Sequence, residues 1–205
     1  MIIHDISMQI SSNMPVYKNM EIKKPKLTII ANHKDNSIYE TDLQINLHTG
    51  THVDAPLHAI ENGNYVESYS LEKFYGNALI IDLTAVKDHI TRDDLINQNI
   101  QENDIILLKT INSYDTHFNF NFIYLSVSGA EYLAGKKIKT VGIDGLGIER
   151  SQKNHPTHKI LLSNNIPIIE GLRLSKIEKG RYTFIGFPIS ISSVEASFLR
   201  AVLVE

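Results

Sequence analysis

The sequence predicts an α/β fold built around a large, curved or barrel-like mixed sheet with a few flanking helices. Three observations predict it. Some segments alternate apolar and polar residues, others are continuous apolar runs, and short helix-like stretches with recognisable caps fall between them. Along residues 2–10, Ile6, Met8 and Ile10 alternate with polar neighbours, and Leu43, Ile45 and Leu47 do the same along 40–48, so both read as half-buried strands. Residues 26–31 read as another. The runs at 78–83 and 105–108 have the continuous apolar character of strands buried on both faces. Thr91, with Asp93 and Asp94 in the following turn, opens a helix, and the turn-rich stretch 112–121 reads as a loop. Ser128-Gly-Ala-Glu131 has capping-box spacing and opens a second helix that carries Tyr132 and Leu133 and stops near Gly135. Residues 140–143 form a strand and 145–156 a loop. A third helix follows Pro156-Thr157, with Thr157 as N-cap and Ile160, Leu161 and Leu162 turned inward. Strands at 166–169, 182–191 and 199–204 complete the reading. No repeat, low-complexity tract or linker interrupts the chain, and 205 residues suit a single domain spanning 1–205.

Composition removes several function classes. A net charge of -3 with dispersed Lys and Arg gives no footprint for nucleic acid. The absence of cysteine removes disulfides, thiolate ligands and a thiol nucleophile. No apolar run approaches the ~20 residues that span a bilayer, and Met-Ile-Ile-His-Asp-Ile-Ser lacks the form of a signal peptide, so a cytoplasmic location without membrane attachment is expected. There is no Gly-x-Ser-x-Gly, and the glycines at 142, 145 and 147 lack dinucleotide-loop spacing, so they read as turn residues.

The chemistry concentrates between Leu47 and Ala59. There His48, His52, Asp54 and His58 place three imidazoles and a carboxylate in eleven positions. Their even numbers would put them on one face of a continuous strand. At ~3.3 Å per residue, however, His48 and His52 would lie roughly 13 Å apart, too far for one ion. A bend is therefore expected, with Gly50 and Pro56 placed to make it: a strand ending near Leu47, then a tight loop wrapping His48, His52 and Asp54 around an ion. Nitrogen and oxygen donors without sulfur suit Zn²⁺, Mn²⁺ or Fe²⁺ better than Ca²⁺ or Mg²⁺. Asp54 is the natural shared ligand if the site holds two ions, since a carboxylate can bridge where an imidazole cannot.

The segment His48-Thr-Gly-Thr-His52-Val-Asp54-Ala-Pro-Leu-His58 resembles the HxGTHxDxPxH signature of the cyclase family, metal-dependent hydrolases that include bacterial kynurenine formamidase (arylformamidase). The resemblance continues through His4-Asp5-Ile6-Ser7, Met14-Pro15-Val16-Tyr17, Thr140-Val-Gly-Ile-Asp144, His158 with Glu170-Gly171-Leu172, and Leu199-Arg200-Ala201-Val202-Leu203. It implies a swivelling β/β/α fold and homodimers or tetramers. It further implies that His48, His52 and Asp54 hold a first metal, that Asp54, His158 and Glu170 hold a second, and that His58 is the acid–base residue. His155 is a rival to His158. The implied activity is hydrolysis of a small amide through metal-activated water, with N-formylkynurenine as first substrate, Zn²⁺ as the expected ion (two per subunit) and Mn²⁺ as the alternative. Tyr17, and with it Phe74 or Phe118, are candidates to stack on an aromatic substrate. Isatin or cyclic-imide opening, other amide or ester hydrolysis, dehydration, and metal binding without catalysis are the competing functions. The chain departs from the family pattern at Lys18-Asn19-Met20, where Pro-Gly-Asp is frequent. It departs again at Gly145-Leu-Gly147-Ile-Glu149, where Ser and Asp are frequent, at Glu195 and Phe198, and in having no Trp.

Overall fold

The computed structural model describes all 205 residues. In chain order the strands are β1 (Ile3–Asp5), β2 (Lys26–Ala31), β3 (Glu40–Gln44), β4 (His52–Asp54), β5 (Tyr75–Asp82), β6 (His89–Ile90), β7 (Ile105–Lys109), β8 (Tyr124–Leu125), β9 (Thr140–Ile143), β10 (Ile168–Glu170), β11 (Gly180–Ile185), β12 (Ala196–Phe198) and β13 (Val202–Val204). The helices are α1 (Arg92–Leu95), α2 (Val127–Gly135) and α3 (Pro156–Ser163). Nine strands make one strongly curled half-barrel in the order β1-β13-β11-β5-β7-β9-β10-β4-β12, which bears out the curved mixed sheet expected from sequence. Its middle, β5-β7-β9-β10, is parallel, and antiparallel strands extend it on both sides. No helix is long and apolar enough to cross a membrane.

The parallel centre is buried on both faces, as the continuous apolar runs require. Along β7, Ile106 and Leu108 join the core beneath the helices, while Ile105 and Leu107 join the core on the opposite face. Leu133 of α2 and Leu161 and Leu162 of α3 cover the first of these cores. On the second lie Ile6, Val53, Phe74 and Phe184.

Several boundaries differ from the sequence reading for identifiable reasons. Past Asp5 the first strand leaves the ladder, and the Met8 N–H turns to the Thr51 hydroxyl. The segment read as one strand over 182–191 is broken after Ile185. Pro188, which cannot donate to a ladder, makes only an isolated bridge to Leu199. Thr91 opens α1 as expected, and the Asp94 carboxylate accepts both its N–H and its hydroxyl. The cap of α2 is Ser126, whose hydroxyl accepts the Gly129 N–H, so Ser128 lies inside the helix. At α3 the N-cap is a left-handed His155, with Pro156 in the first helical position that suits its fixed φ. Thr157, expected as the cap, instead donates its hydroxyl to the Leu125 carbonyl.

The largest correction concerns β2 and β3. They pair only with each other, as a ribbon apart from the main sheet. Their alternation was expected to half-bury one face, yet Leu27, Ile29 and Leu43 are each about half exposed in the single chain.

Candidate metal centre

The centre begins with strand register. His52 and Asp54 are two apart on β4 and project to one face, while Val53 between them enters the core on the other. Antiparallel pairing sets Glu170 of β10 directly opposite His52, and Ile168 opposite Asp54. Directly paired residues share a face, so Glu170 joins the two β4 side chains. That face lies beneath α3, whose first turn supplies His158. The expectation of one continuous loop around the ion is therefore corrected: residues 52–54 remain extended, and the bend is confined to the turn before them. The Asn46 side chain accepts the His48 N–H there, and Gly50 takes a φ of +75°. This turn swings His48 back to Asp54. After Pro56, a single 3₁₀ turn returns His58 to the same place.

Gly171 locks the turn against β10. A side chain at this position, where φ is +72°, would meet the Gly50 carbonyl oxygen at 2.4 Å. Only glycine lets that carbonyl come so close. The same carbonyl accepts from His52 Nδ1 at 2.9 Å, which leaves Nε2 turned toward the carboxylates. Thr51 reinforces the junction by donating its hydroxyl to the Gly171 carbonyl at 2.7 Å.

Asp54 is the hub. Its Oδ1 lies 3.0 Å from His48 Nδ1 and 3.5 Å from His52 Nε2, and its Oδ2 lies 3.6 Å from His158 Nε2. Glu170 faces both buried imidazoles, with Oε2 3.5 Å from His52 Nε2 and Oε1 3.5 Å from His158 Nε2. The Glu170 Oε1 also accepts the Ile148 N–H at 2.6 Å. Asp54 is completely buried, and His52, His158 and Glu170 are nearly so.

These groups are close without satisfying one another. His52 Nε2 and both Asp54 oxygens are buried and have no hydrogen-bond partner of proper geometry. Such atoms carry a desolvation cost that a native protein offsets with a partner, and a cation accepts lone pairs from several of them at once. Ligand atoms of His52, Asp54 and Glu170, of His48, Asp54 and His58, and of Glu149, His155 and His158 lie within 4.8 Å of one another in each set, and a donor set of imidazole nitrogen and carboxylate oxygen fits one or two divalent ions.

Burial opposes charge on every group here, yet mutual attraction dominates on the floor. Against burial, Asp54 and Glu170 raise the pKa of His52, and Asp54, Glu149 and Glu170 raise that of His158 well above the imidazole range. Burial would raise Asp54 too, but contacts with His158, His48 and His52 hold it well below the carboxylate range. His58 goes the other way. Desolvation lowers its pKa, the like charges of His48 and His158 add to the effect, and Asp54 and Glu170 offset only part. Unlike His52 and His158, it is biased toward the neutral form.

A cavity of about 360 Å³ opens above the floor, with His48, His58, His158 and Glu170 at its base and Tyr17, Lys18 and Lys23 at its mouth. Tyr17 is half-buried and packs edge-on against Phe118, 5.0 Å between centroids. Phe74 is wholly buried in the core and cannot reach a substrate, which removes it as a stacking candidate. Sequence reasoning missed two groups. Glu149 lies 3.3 Å from His158 Nδ1, and Glu195 lies 3.2 Å from His48 Nε2. Both stand where the chain departs from the family pattern, which was their only signal. His155 is directed at Glu149, 2.8 Å away, and its side chain is largely exposed. Asp144, whose role the sequence left open, accepts from the backbone and hydroxyls of Thr110 and Ser113 and so ties the exits of β7 and β9 together. Asp5 and Arg200 form an exposed ion pair at the sheet edge.

The Cyclase family model matches residues 4–150, well over half of the chain. The chain belongs to the cyclase family. Among curated relatives it is 30% identical to a kynurenine formamidase of Erythrobacter litoralis over 80% of this chain and 76% of that one. It is 28% identical to one of Salinibacter ruber over 97% and 95%. A solved structure described as a potential metal-dependent hydrolase with cyclase activity superposes with a TM-score of 0.92 at 44% identity, covering 98% of this chain and 96% of that one. An isatin hydrolase of Labrenzia aggregata, at 21% identity and a TM-score of 0.85 over 99% and 93% of the two chains, shares the fold. The cyclase-family segment His48–His58 thus lies at the base of the cavity, and the departures at Lys18, Glu149 and Glu195 lie around it.

Proposed function

We propose that this cyclase-family chain is a metal-dependent hydrolase of a small amide, of the arylformamidase type, with N-formylkynurenine as the first substrate to test. The approach of His48, His52 and His158 to the Asp54 carboxylate, and of His52 and His158 to that of Glu170, with buried ligand atoms unpartnered, carries the reading. His48, His52 and Asp54 would hold one ion, and Asp54, His158 and Glu170 a second, zinc being the expected metal and manganese the alternative. When bound, such ions lower the pKa of water and withdraw charge from a carbonyl oxygen, which is the chemistry amide hydrolysis requires.

The remaining roles belong to the chain. Tyr17 at the mouth supplies an aromatic face for a flat substrate. His58, exposed to the cavity and biased toward its neutral form by partial desolvation, can accept the proton of an attacking water. It then returns that proton to the departing nitrogen as the carbon–nitrogen bond breaks, giving the free amine and the carboxylic acid. The carboxylates of Asp54 and Glu170 nearby favour its protonated form once it has taken up that proton.

We also propose that the protein works as a homo-oligomer. An isolated two-stranded ribbon is marginal in water, yet β2 and β3 present Leu27, Ile29, Ile30 and Leu43 to solvent in the single chain, and the segment joining them adds Ile38 and Tyr39. A second copy covering this ribbon would supply the missing partner, and sedimentation of the purified protein tests it.

Metal analysis coupled to a panel of formanilides, N-formylkynurenine, isatin and cyclic imides tests the enzymatic reading. Two equivalents of metal are expected, with formamide hydrolysis that a chelator abolishes and zinc or manganese restores. Preference for isatin or an imide would move the substrate class within the family. Tight metal binding with no turnover on any member would favour a non-catalytic metal protein.

A further inference from the structure

Glu149 is a buried carboxylate for which the proposed chemistry has no use. It lies in the loop between β9 and α3, only 4% exposed, and its Oε2 accepts the His158 backbone N–H at 3.1 Å. The same oxygen lies 3.3 Å from His158 Nδ1 and Oε1 lies 2.8 Å from His155 Nδ1, close contacts outside hydrogen-bond geometry that leave His158 Nδ1 and Glu149 Oε1 buried without a partner. Because the His155 side chain makes no cap on α3, Glu149 does that work from nine residues upstream. Its contact with the imidazole goes further than capping.

An imidazole can offer one nitrogen to a metal only if the other is held by something else. At His52 that holder is the Gly50 carbonyl, 2.9 Å from Nδ1, with Nε2 left facing Asp54 and Glu170. His158 also turns Nε2 to Asp54 and Glu170, and the carboxylate beside its unpartnered Nδ1 is that of Glu149, 3.3 Å away. We infer that Glu149 is a positioning residue, which holds the proton on His158 Nδ1 and so presents Nε2 to the metal. The ring cannot turn over without taking Nδ1 from a carboxylate in a buried site, and loss of an outer partner of this kind costs about 10- to 100-fold in metal affinity. The inference rests on the metal reading of the site and not on amide hydrolysis.

Nuclear magnetic resonance of the zinc-loaded protein, correlating imidazole protons with nitrogen, tests this without any assay of turnover. In the parent protein His158 should carry a slowly exchanging proton on Nδ1, with Nε2 showing the shift of a zinc-bound nitrogen. Glu149→Leu should lose that protection and weaken zinc binding about 10- to 100-fold in competition with a chelator. Glu149→Gln, which keeps an oxygen acceptor, should retain the Nδ1 proton and lose less than tenfold. Zinc bound through Nδ1 of His158 in the parent, or an Nδ1 without a proton, overturns the inference with no variant needed. So does a folded Glu149→Leu protein that is less stable but binds zinc within twofold of the parent, since that is the signature of a helix cap alone. A parent that takes up no zinc overturns both the inference and the metal reading. One that takes up zinc and shows the Nδ1 proton but cleaves no amide overturns only the proposed activity.

Discussion

His52, Asp54, His158 and Glu170, the floor of the site, are at most 6% exposed and ride on β4, β10 and α3, whereas His48, His58 and Tyr17, its rim, ride on a turn and two single 3₁₀ turns. The floor takes its geometry from ladder register. A one-residue slip of β4 would send His52 and Asp54 into the opposite core and bring Val53 to the cavity. The rim takes its geometry from local backbone, and its side chains reach solvent through the cavity. On the proposed reading the floor supplies four of the five metal ligands, and the rim adds the fifth, His48, together with His58 and Tyr17, which meet the substrate.

Asp54→Asn should break the floor most completely. Three imidazoles converge on its two oxygens, so the amide would satisfy neither ion nor ring. Bound metal measured after equilibrium dialysis should fall to background, and turnover with it. In the chelated protein, urea unfolding should show a loss of about 3–5 kcal/mol, the cost of stripping a buried charge from its partners. His58→Asn is the matching test of the rim. Turnover should fall by ~10² to 10⁴ while metal content stays at the parent level. If metal is lost along with activity, His58 belongs to the floor and the division fails.

Gly171→Ala tests the junction between the two regions. The added methyl would meet the Gly50 carbonyl, and the backbone would have to hold a non-glycine residue at positive φ. A loss of about 2 kcal/mol is expected in chemical denaturation. Metal affinity should drop as well, because the displaced carbonyl is the one that orients His52.

The floor and rim also differ in how far they could be read from sequence. The continuous apolar runs gave β5 and β7 because strands buried on both faces need no partner information to be recognised. The spacing of His48, His52, Asp54 and His58 announced a site, but it did not show β4 as a strand. Three residues between Gly50 and Pro56 are too few to display a period. Alternation identified β2 and β3 as strands and still failed on burial, because period two says which side chains share a face and not what covers it. Glu149 and Glu195 stood out only as departures from the family pattern, and their roles were missed for another reason. Each meets its histidine only through tertiary folding, and neither stands at a spacing that local chemistry would mark.

Acidity separates the chelated protein from the loaded one. The folded-state pKa values of His52 and His158 are raised above the ordinary 6.5, so their contribution is complete below pH 6.5 and is lost as pH rises through the folded values. The carboxylates of Asp54, Glu149 and Glu170 are lowered from 3.8, 4.5 and 4.5, so their contribution is present above that range and is lost as pH falls through the folded values. His58, lowered from 6.5, contributes above pH 6.5 and offsets part of the imidazole loss. Chelated protein should therefore be more stable at pH 5.5 than at pH 8, by about 2–4 °C in Tm for each kcal/mol. Zinc-loaded protein should show the reverse order, because metal binding requires the same ligands deprotonated. The same order in both states would mean that these imidazoles do not bind the ion.

Glu195→Gln should have the smallest effect, and it sharpens the contrast between the two carboxylates that stand behind histidines. Glu195 lies 3.2 Å from His48 Nε2, a contact comparable in length to that of Glu149 with His158. Its side chain is 38% exposed, however, whereas that of Glu149 is 2% exposed. Solvent screens the rim pair and can replace the lost oxygen, so the coupling should be worth no more than about 1 kcal/mol. Zinc affinity by chelator competition should fall no more than about fivefold, the equivalent of that energy. A loss as large as that of Glu149→Leu would show that distance to the histidine, and not burial of the pair, decides how firmly a ligand is held.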